Sequence, residues 1–277
     1  MRARIADALN GWLGTTVFTY LVPNYIIMVS LGAFLGTLWA VRRAKARGLD
    51  PDPLYGFILW VFPIALLGGR FIQWIRSPET YPDLASFFDP IRGDSAAYGG
   101  FIAGAAVGIA YLHVRGKGVW VYLDCIAPSL GLATALTRLG CFLDGCCYGA
   151  VTASPIAVRF PPASVAFAAQ VEAGLIPPGA AETLPVYPTQ LFLLLKGLVL
   201  AALTAWHGRS RKRAPGETFC LFWVLYACFR FVLEFPRADV SRGTIGSLST
   251  SQAISAAVLV LSAFGLWLRR SSPPLRP

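Results

Sequence analysis

Charged residues are scarce in this sequence. Asp, Glu, Lys and Arg make up only 14% of the 277 residues, hydrophobic residues make up 56%, and the mean hydropathy is +0.59. A soluble globular domain has charge on about 25% of its residues, so this chain has too few charges to cover its surface in water. The same figures exclude a disordered chain, a coiled coil, a collagen and a disulfide-rich miniprotein. The composition therefore predicts a polytopic membrane protein.

Seven apolar stretches approach the length of about 20 residues that a helix needs to cross a bilayer. They run approximately over Tyr20–Val41, Leu54–Ile75, Ala97–His113, Val119–Cys141, Pro188–Trp206, Thr218–Phe235 and Thr250–Leu268. The third and sixth stretches are short or carry charge. No signal peptide is expected, because residues 1–16 contain Asp7 and no apolar core. We predict an all-α membrane protein with seven transmembrane helices in one domain, 1–277.

The net charge of +10 is distributed unevenly between the predicted loops. Thirteen basic and three acidic residues lie on one side, in the segments 42–52, 115–117, 209–217 and 269–276, whereas the other side has seven basic and eight acidic residues. Because cytoplasmic loops are enriched in Lys and Arg, we predict an outside N-terminus and a cytoplasmic C-terminus. Topology explains the excess charge, and a nucleic-acid partner is not needed.

The longest predicted outer segment, 142–187, lies between the fourth and fifth spans. It is rich in proline and too polar to cross a membrane. A connection this long is usually functional or disordered, and the proline pairs favour a small folded extracytoplasmic head. We find no internal repeat, which is unfavourable for a transporter built from inverted halves.

Ionisable residues inside membrane spans are costly and indicate function. The candidates are Arg70, Asp124, Arg138, Lys196, Arg230 and Glu234. Arg230, Glu234 and Arg237 recur at helical spacing on one face. Glu234 can form a structural ion pair with one arginine, but the remaining arginines need an anion. Because a guanidinium group binds phosphate oxygens in a bidentate manner, a lipid phosphate is the expected ligand.

Lys196 and the glycine-rich segments have structural interpretations as well as functional ones. We expect Lys196 to snorkel or to pack between helices rather than to hold a cofactor; a retinal protein would carry its lysine in the last span, where this chain has none. Gly100 and Gly104 have the spacing of closely packed helices, and Gly68 is interpreted in the same way.

Three of the six cysteines cluster after the fourth span, at Cys141, Cys146 and Cys147. An outer location would permit a disulfide. Zinc is conceivable, but this spacing is not a usual ligand pattern, and His113 and His207 are both expected near the inner face. Structural packing or a disulfide, contact with substrate, and metal or redox chemistry all stay open. No motif calls for a metal or an organic cofactor.

Seven short motifs follow one another in a specific order. They are Pro23-Asn-Tyr25, Gly68-Gly-Arg70, Tyr98-Gly-Gly100, RLGCFLDGCCYG over Arg138–Gly149, Tyr187-Pro-Thr-Gln-Leu191, RFVLEFPR over Arg230–Arg237, and Leu248-Ser-Thr-Ser-Gln252. The ordered set resembles the bacterial prolipoprotein diacylglyceryl transferase family over most of the chain. That family has seven spans, an outside N-terminus and an extracytoplasmic head between spans four and five.

The resemblance implies an enzyme of the bacterial inner membrane. It would transfer the diacylglyceryl group of phosphatidylglycerol to the lipobox cysteine thiol of a prolipoprotein, forming a thioether and releasing glycerol phosphate. The implied partners are phosphatidylglycerol and lipobox peptides, no cofactor is implied, and we expect a monomer.

The resemblance also implies roles for individual residues. Arg138 and Arg230 match arginines essential to the family, and Tyr98 occupies a catalytic position. The substrate-binding positions are Tyr25, Arg70, Gly99, Gly100, Cys141, Gly149, Glu234 and Arg237.

The chain departs from the family pattern at three positions. Tyr98 stands where many members have a histidine, Cys141 where many have an asparagine, and Cys146 where an acid is usual. A phenol with a pKa near 10 is a poor base at neutral pH. We therefore hypothesise that Tyr98 orients the glycerol or phosphate by hydrogen bonding, while nearby arginines lower the pKa of the incoming thiol.

Two other functions are consistent with part of the sequence. A paralogue that binds phosphatidylglycerol but modifies a different acceptor would be consistent with the three departures. An anion channel or transporter would also use buried arginines, but the ordered motifs and the lack of repeats are unfavourable for it.

Overall fold

The computed structural model describes residues 24–88, 97–210, 213–235, 244–245 and 248–270, and these residues are mostly helical. The helices are α1 (Asn24–Ala46), α2 (Asp52–Gly56), α3 (Phe62–Arg76), α4 (Leu84–Phe88), α5 (Ala97–Val114), α6 (Val119–Asp144), α7 (Val165–Glu172), α8 (Thr189–His207), α9 (Glu217–Val232) and α10 (Thr250–Arg270). A π-helical turn, Phe57–Val61, joins α2 to α3, and a short 3₁₀ turn, Pro78–Thr80, follows α3. Two strands, β1 (Thr244–Ile245) and β2 (Leu248–Ser249), form an antiparallel pair before α10.

Each of the seven predicted segments is helical over most of its described residues; Pro188 precedes α8, and residues 233–235 follow α9. Five helices are long and apolar enough to cross a membrane, namely Asn24–Ala46, Asp52–Ile75, Val119–Asp144, Thr189–His207 and Ser251–Arg270. The apolar part of α5 is shorter, at Gly99–Val114, and α9 has 16 residues. Large apolar side chains on α10, such as Leu261 and Phe264, are mostly exposed. Continuous apolar exposure of this kind is unfavourable in water and suits contact with lipid, as expected of a helical membrane protein.

The chain divides into two compact units. The smaller unit is Ala33–Ile126, and the larger unit contains residues up to Gly32 together with those from Ala127 onward.

In the smaller unit, α3 packs closely on α5. A side chain at Gly99 would clash with the Gly68 carbonyl oxygen and would lie 2.7 Å from Ile72 Cγ1. A side chain at Gly68 would likewise collide with Ala103 Cβ. Glycine at both positions lets the two helix backbones approach, as small residues do in membrane helices.

In the larger unit, α9 packs on α8 and α10. Its apolar core contains Ala127, Leu200 and Phe222. Glycines again permit a close helix contact, because a side chain at Gly131 of α6 would lie 2.6 Å from the Ala201 amide nitrogen of α8. The core therefore holds α6, α8 and α9 together, and these helices carry Arg138, Lys196 and Arg230.

The segment 142–187 has a folded core of its own within the larger unit. Phe160, Ala166 and Val186 are buried there. Ser164 accepts a hydrogen bond from the Phe167 amide and so begins α7. The Leu184 amide donates a 2.8 Å hydrogen bond to the Gln170 side-chain oxygen. These contacts fix the course of a segment that contains little regular secondary structure.

Candidate active site

The end of α9 carries a buried ion pair. Arg230 and Glu234 are each 8% exposed, and the Arg230 Nη1 group contacts Glu234 Oε2. Residues from β2 and from the start of α10 complete the arrangement, because Arg230 Nη2 donates a 3.0 Å hydrogen bond to Ser251 Oγ and Ser249 Oγ donates a 3.3 Å hydrogen bond to Glu234 Oε1. The predicted i, i+4 pair is present, and the β1–β2 hairpin brings two serines to it.

Arg138 has a different environment. It lies on α6, is half-buried, and its Nη1 group is 3.8 Å from Cys141 Sγ. Tyr25 and Tyr226 are among its neighbours. Among the described residues, no carboxylate oxygen lies within 4.0 Å of the Arg138 guanidinium. Arg230 is paired with the Glu234 carboxylate. Arg138 is therefore the better candidate of the two for binding an external anion.

Lys196 is buried inside the larger unit. It is 4% exposed, and its Nζ atom lies 4.0 Å from the centroid of the Tyr226 ring. A cation over an aromatic face is attracted by the ring quadrupole. Of the two structural roles expected for Lys196, the structure supports helix packing and excludes snorkelling.

The three clustered cysteines come together in space. Cys141 is buried near the end of α6, Cys146 and Cys147 are half-buried in the following turn, and the three Sγ atoms all lie within 4.8 Å of one another. Hydrogen bonding to the Cys141 and Cys147 thiols, together with burial, raises the pKa of Cys146. The unliganded Cys146 is therefore a protonated thiol at neutral pH.

The start of α1 is bound to the end of α6. Asp144 accepts a 2.9 Å hydrogen bond from Asn24 Nδ2 and a 3.1 Å hydrogen bond from the Tyr25 amide. A carboxylate is favourable at a helix N-terminus, where amide groups lack partners. Asp144 thus fixes the position of Tyr25, one of the predicted substrate-binding residues.

Gly149 lies where the segment 142–187 packs on the start of α8. Its amide donates a 2.9 Å hydrogen bond to the Tyr187 carbonyl, and a side chain there would lie 2.8 Å from both Tyr187 Cβ and Thr189 Cγ2. A packing requirement therefore explains glycine at this position, and its role in lining the site stays a prediction.

The remaining predicted residues belong to the smaller unit or lie outside the described residues. Arg70 donates a 2.6 Å hydrogen bond to the Phe87 carbonyl oxygen. Gly99 and Gly100 pack α5 against α3, since a side chain at Gly100 would lie 3.0 Å from the Ala65 carbonyl oxygen. The backbone of Tyr98 belongs to α5, but the Tyr98 side chain is not among the parts that the structure describes. Arg237 lies outside the described residues.

Asp144, Ser249 and Ser251 were not among the predicted site residues. Each lies in one of the seven ordered motifs, and membership of a motif was the one sequence feature that could have identified them as site residues. Their contacts join residues 15 to 120 positions apart, and no local spacing rule predicts such contacts.

The fold and these contacts define a multi-pass helical membrane protein with a half-buried arginine on α6 and a buried arginine on α9. A family model described as prolipoprotein diacylglyceryl transferase matches residues 16–268. The chain belongs to this family, and the resemblance inferred from the ordered motifs is confirmed.

Individual relatives agree with the family match. The chain is 34% identical to phosphatidylglycerol–prolipoprotein diacylglyceryl transferase 2 of Clostridium perfringens, over 88% of this chain and 90% of the relative. It is 29% identical to the corresponding transferase of Clostridium tetani, over 90% of this chain and 93% of the relative. With the transferase of Gloeobacter violaceus the identity is 30%, over 90% of this chain and 88% of the relative.

Proposed function

We propose that this chain transfers the diacylglyceryl group of phosphatidylglycerol to the lipobox cysteine thiol of prolipoproteins, the first step of lipoprotein maturation. The family match over residues 16–268 carries this proposal. The acceptor sulfur forms a bond to the glycerol carbon of the lipid, the carbon–oxygen bond to the phosphate breaks, and glycerol phosphate leaves with the electron pair. The thiol proton is released to solvent, so the products are the thioether, glycerol phosphate and one proton.

The leaving phosphate is the group that this site is best suited to stabilise. Negative charge grows on the phosphate oxygen as the carbon–oxygen bond breaks, and preorganised cations lower the energy of such a state. Arg138 has no carboxylate within 4.0 Å among the described residues, so we assign it to the phosphate. Glu234 and Ser251 hold the Arg230 side chain in place. We therefore assign Arg230 as a second, fixed hydrogen-bond donor to the phosphate.

The remaining predicted site residues are given roles in the same reaction. We assign Tyr25, Arg70, Gly99, Gly100, Cys141 and Gly149 to substrate binding, and Glu234 and Arg237 to orienting the pair of arginines that binds the phosphate. For Tyr98 we keep the role of a hydrogen-bond donor to the glycerol or phosphate. Turnover that is unchanged in Tyr98→Phe would remove Tyr98 from the mechanism.

The charge distribution supports a specific topology for the proposed enzyme. We propose seven spans in the bacterial inner membrane, with the N-terminus outside, the C-terminus in the cytoplasm and the segment 142–187 as an extracytoplasmic head. Thirteen of the basic residues then lie on the cytoplasmic side. Phosphatidylglycerol would enter from the membrane and the prolipoprotein from the outer face, and we expect the enzyme to act as a monomer.

The test uses purified protein with phosphatidylglycerol and a lipobox peptide. We expect the peptide to gain the diacylglyceryl mass with equal release of glycerol phosphate, and we expect Arg138→Ala to lower the rate by about 10²–10³-fold, as loss of one transition-state donor does. Arg42→Ala is the matched control, because Arg42 is an exposed arginine of the smaller unit.

The acceptor is tested by the same assay. Binding of phosphatidylglycerol without any peptide modification would contradict the proposed acceptor and would favour a paralogue acting on another one. Anion flux into liposomes that is lost in Arg138→Ala, with no transfer, would instead favour a channel.

A further inference from the structure

The three-thiol cluster has the geometry of a metal site. Cys141, Cys146 and Cys147 each offer one sulfur atom, and all three sulfur atoms lie within 4.8 Å of one another. Zinc–sulfur bonds of about 2.3 Å in a tetrahedral site place the sulfur atoms about 3.8 Å apart. Binding of a metal ion would therefore require the sulfur atoms to approach one another by about 1 Å or less.

The turn that carries the two later cysteines is held by contacts to other elements. Gln190 Nε2 donates a 2.8 Å hydrogen bond to the Cys146 carbonyl oxygen, and Thr189 Oγ1 donates a 2.6 Å hydrogen bond to the Cys147 carbonyl oxygen. The Cys146 amide donates to the Cys141 carbonyl oxygen at 3.0 Å. The start of α8 thus fixes the turn that brings two thiols onto a third.

Cys147 has an unusual backbone conformation. Its φ is 58°, the only positive φ of a non-glycine residue in the described part of the chain. The left-handed region is unfavourable for a residue with a Cβ atom, and such residues persist where the surrounding structure holds them in place. In this conformation the Cys147 Sγ atom lies within 4.8 Å of the Sγ atoms of Cys141 and Cys146.

One positive charge lies next to the cluster. Arg138 Nη1 lies 3.8 Å from Cys141 Sγ. Three thiolates around a divalent cation carry one net negative charge, and an adjacent guanidinium offsets it. The cluster therefore has soft ligands, a short mutual distance and a neighbouring counter-charge.

We propose that Cys141, Cys146 and Cys147 form a binding site for one zinc ion. The three thiols lose their protons to solvent as the zinc–sulfur bonds form. Three protein ligands leave the fourth tetrahedral position for a water molecule or another external ligand. The zinc site adjoins the proposed transferase site, because Cys141 and the neighbouring Arg138 are assigned to both; the metal-binding test below uses no transfer assay, so its outcome is separate from that of the proposed function.

The test titrates cobalt(II), as a spectroscopic probe for zinc, into reduced, metal-free, full-length protein in detergent. We expect a sulfur-to-cobalt charge-transfer band that saturates at one ion per chain and disappears when zinc is added. Each of Cys141→Ser, Cys146→Ser and Cys147→Ser should weaken cobalt binding at least tenfold. Cys228→Ser is the matched control and should bind as wild type does, because Cys228 is exposed and outside the cluster.

Folding and oxidation are checked in the same samples. Circular dichroism establishes that each variant is folded, and a thiol count establishes that the cluster is reduced. The absence of a charge-transfer band in folded, fully reduced wild type would overturn the proposal. A band that Cys228→Ser removes, or that all three cluster variants retain, would also overturn it.

Discussion

The two units of this chain bury different kinds of side chain. Sixteen of the seventeen buried polar or charged side chains among the described residues lie in the larger unit, and the other one is Asp124. Glycines bring helices together in both units, at Gly68 and Gly99 in the smaller one and at Gly131 in the larger one. Polar groups are costly to bury without partners, so the difference between the units is the buried polar side chains of the larger one, among them Arg230 and Glu234.

The largest expected effect is on the buried ion pair of the larger unit. Glu234→Gln keeps an acceptor for Ser249 but leaves the Arg230 charge without its carboxylate. Breaking a buried pair by removing one partner costs about 3–5 kcal/mol. We expect a marked fall in the unfolding temperature in detergent and a loss of transfer activity.

Glu182→Gln is the control for that change. Glu182 also pairs with an arginine, Arg159, at 3.3 Å, but both side chains are about half exposed. Exposed pairs contribute about 0–1 kcal/mol, so the unfolding temperature should hardly change. Equal effects of the two substitutions would refute the contrast between buried and exposed pairs.

The second-largest expected effect is a loss of stability from disturbed helix packing in the smaller unit. Gly99→Ala places a methyl group against the Gly68 carbonyl and Ile72, and we expect destabilisation of about 1–3 kcal/mol from overpacking. Thermal unfolding measures it. Gly179→Ala is the control, because nothing lies within 4 Å of a side chain at that position.

The activity of the same variant distinguishes packing from substrate binding at Gly99. If Gly99 acts by packing alone, folded Gly99→Ala protein keeps the wild-type KM for phosphatidylglycerol. A raised KM without any loss of stability would assign Gly99 directly to the substrate.

A smaller effect is expected where α6 meets α1. Asp144→Ala removes the acceptor for Asn24 and for the Tyr25 amide. Loss of such a cap costs about 0.5–2 kcal/mol, measured by denaturant or thermal unfolding. Asp144→Asn keeps one acceptor oxygen and should lose less; a larger loss in Asp144→Asn would contradict the capping role.

The smallest effect is expected at an exposed pair of the smaller unit. A 2.7 Å hydrogen bond from Lys117 lowers the pKa of Asp50, and the same bond raises the pKa of Lys117. The carboxyl contribution is present above the usual pKa of Asp50 and is lost as the pH falls through the lowered pKa. The lysine contribution is present below its usual pKa and is lost as the pH rises through the raised pKa.

At neutral pH the pair is therefore intact but solvated. We expect Asp50→Asn to leave the unfolding temperature unchanged within error at pH 7, and the pH dependence of unfolding to change only at acid or strongly alkaline pH. A clear loss of stability at pH 7 would show that the smaller unit also depends on polar contacts.

The sequence predicted the helices and the Arg230–Glu234 pair, but it did not predict the contacts that other elements make with the candidate site. Apolar stretch length was sufficient for the helical segments, and i, i+4 spacing was sufficient for Arg230 and Glu234. Both are local properties of a helix.

Contacts that depend on the turns between helices were not predicted. The sulfur cluster depends on the left-handed backbone of Cys147 and on side chains of α8, which lie more than 40 residues further along the chain. The C-x4-C-C spacing of the cysteines is not a usual zinc-ligand spacing, so the sequence alone gave no reason to expect a metal site. The contact of Ser251 with Arg230 joins residues 21 positions apart in sequence.

The central claim is that Arg138 binds the phosphate of the lipid substrate. The most direct measurement is the Kd of phosphatidylglycerol for wild type, Arg138→Ala and the control Arg42→Ala, all shown to be folded. A charge-assisted hydrogen bond contributes about 1.5–3 kcal/mol, so we predict a Kd about 10–100-fold higher for Arg138→Ala and an unchanged Kd for Arg42→Ala. An unchanged Kd for Arg138→Ala would contradict the claim.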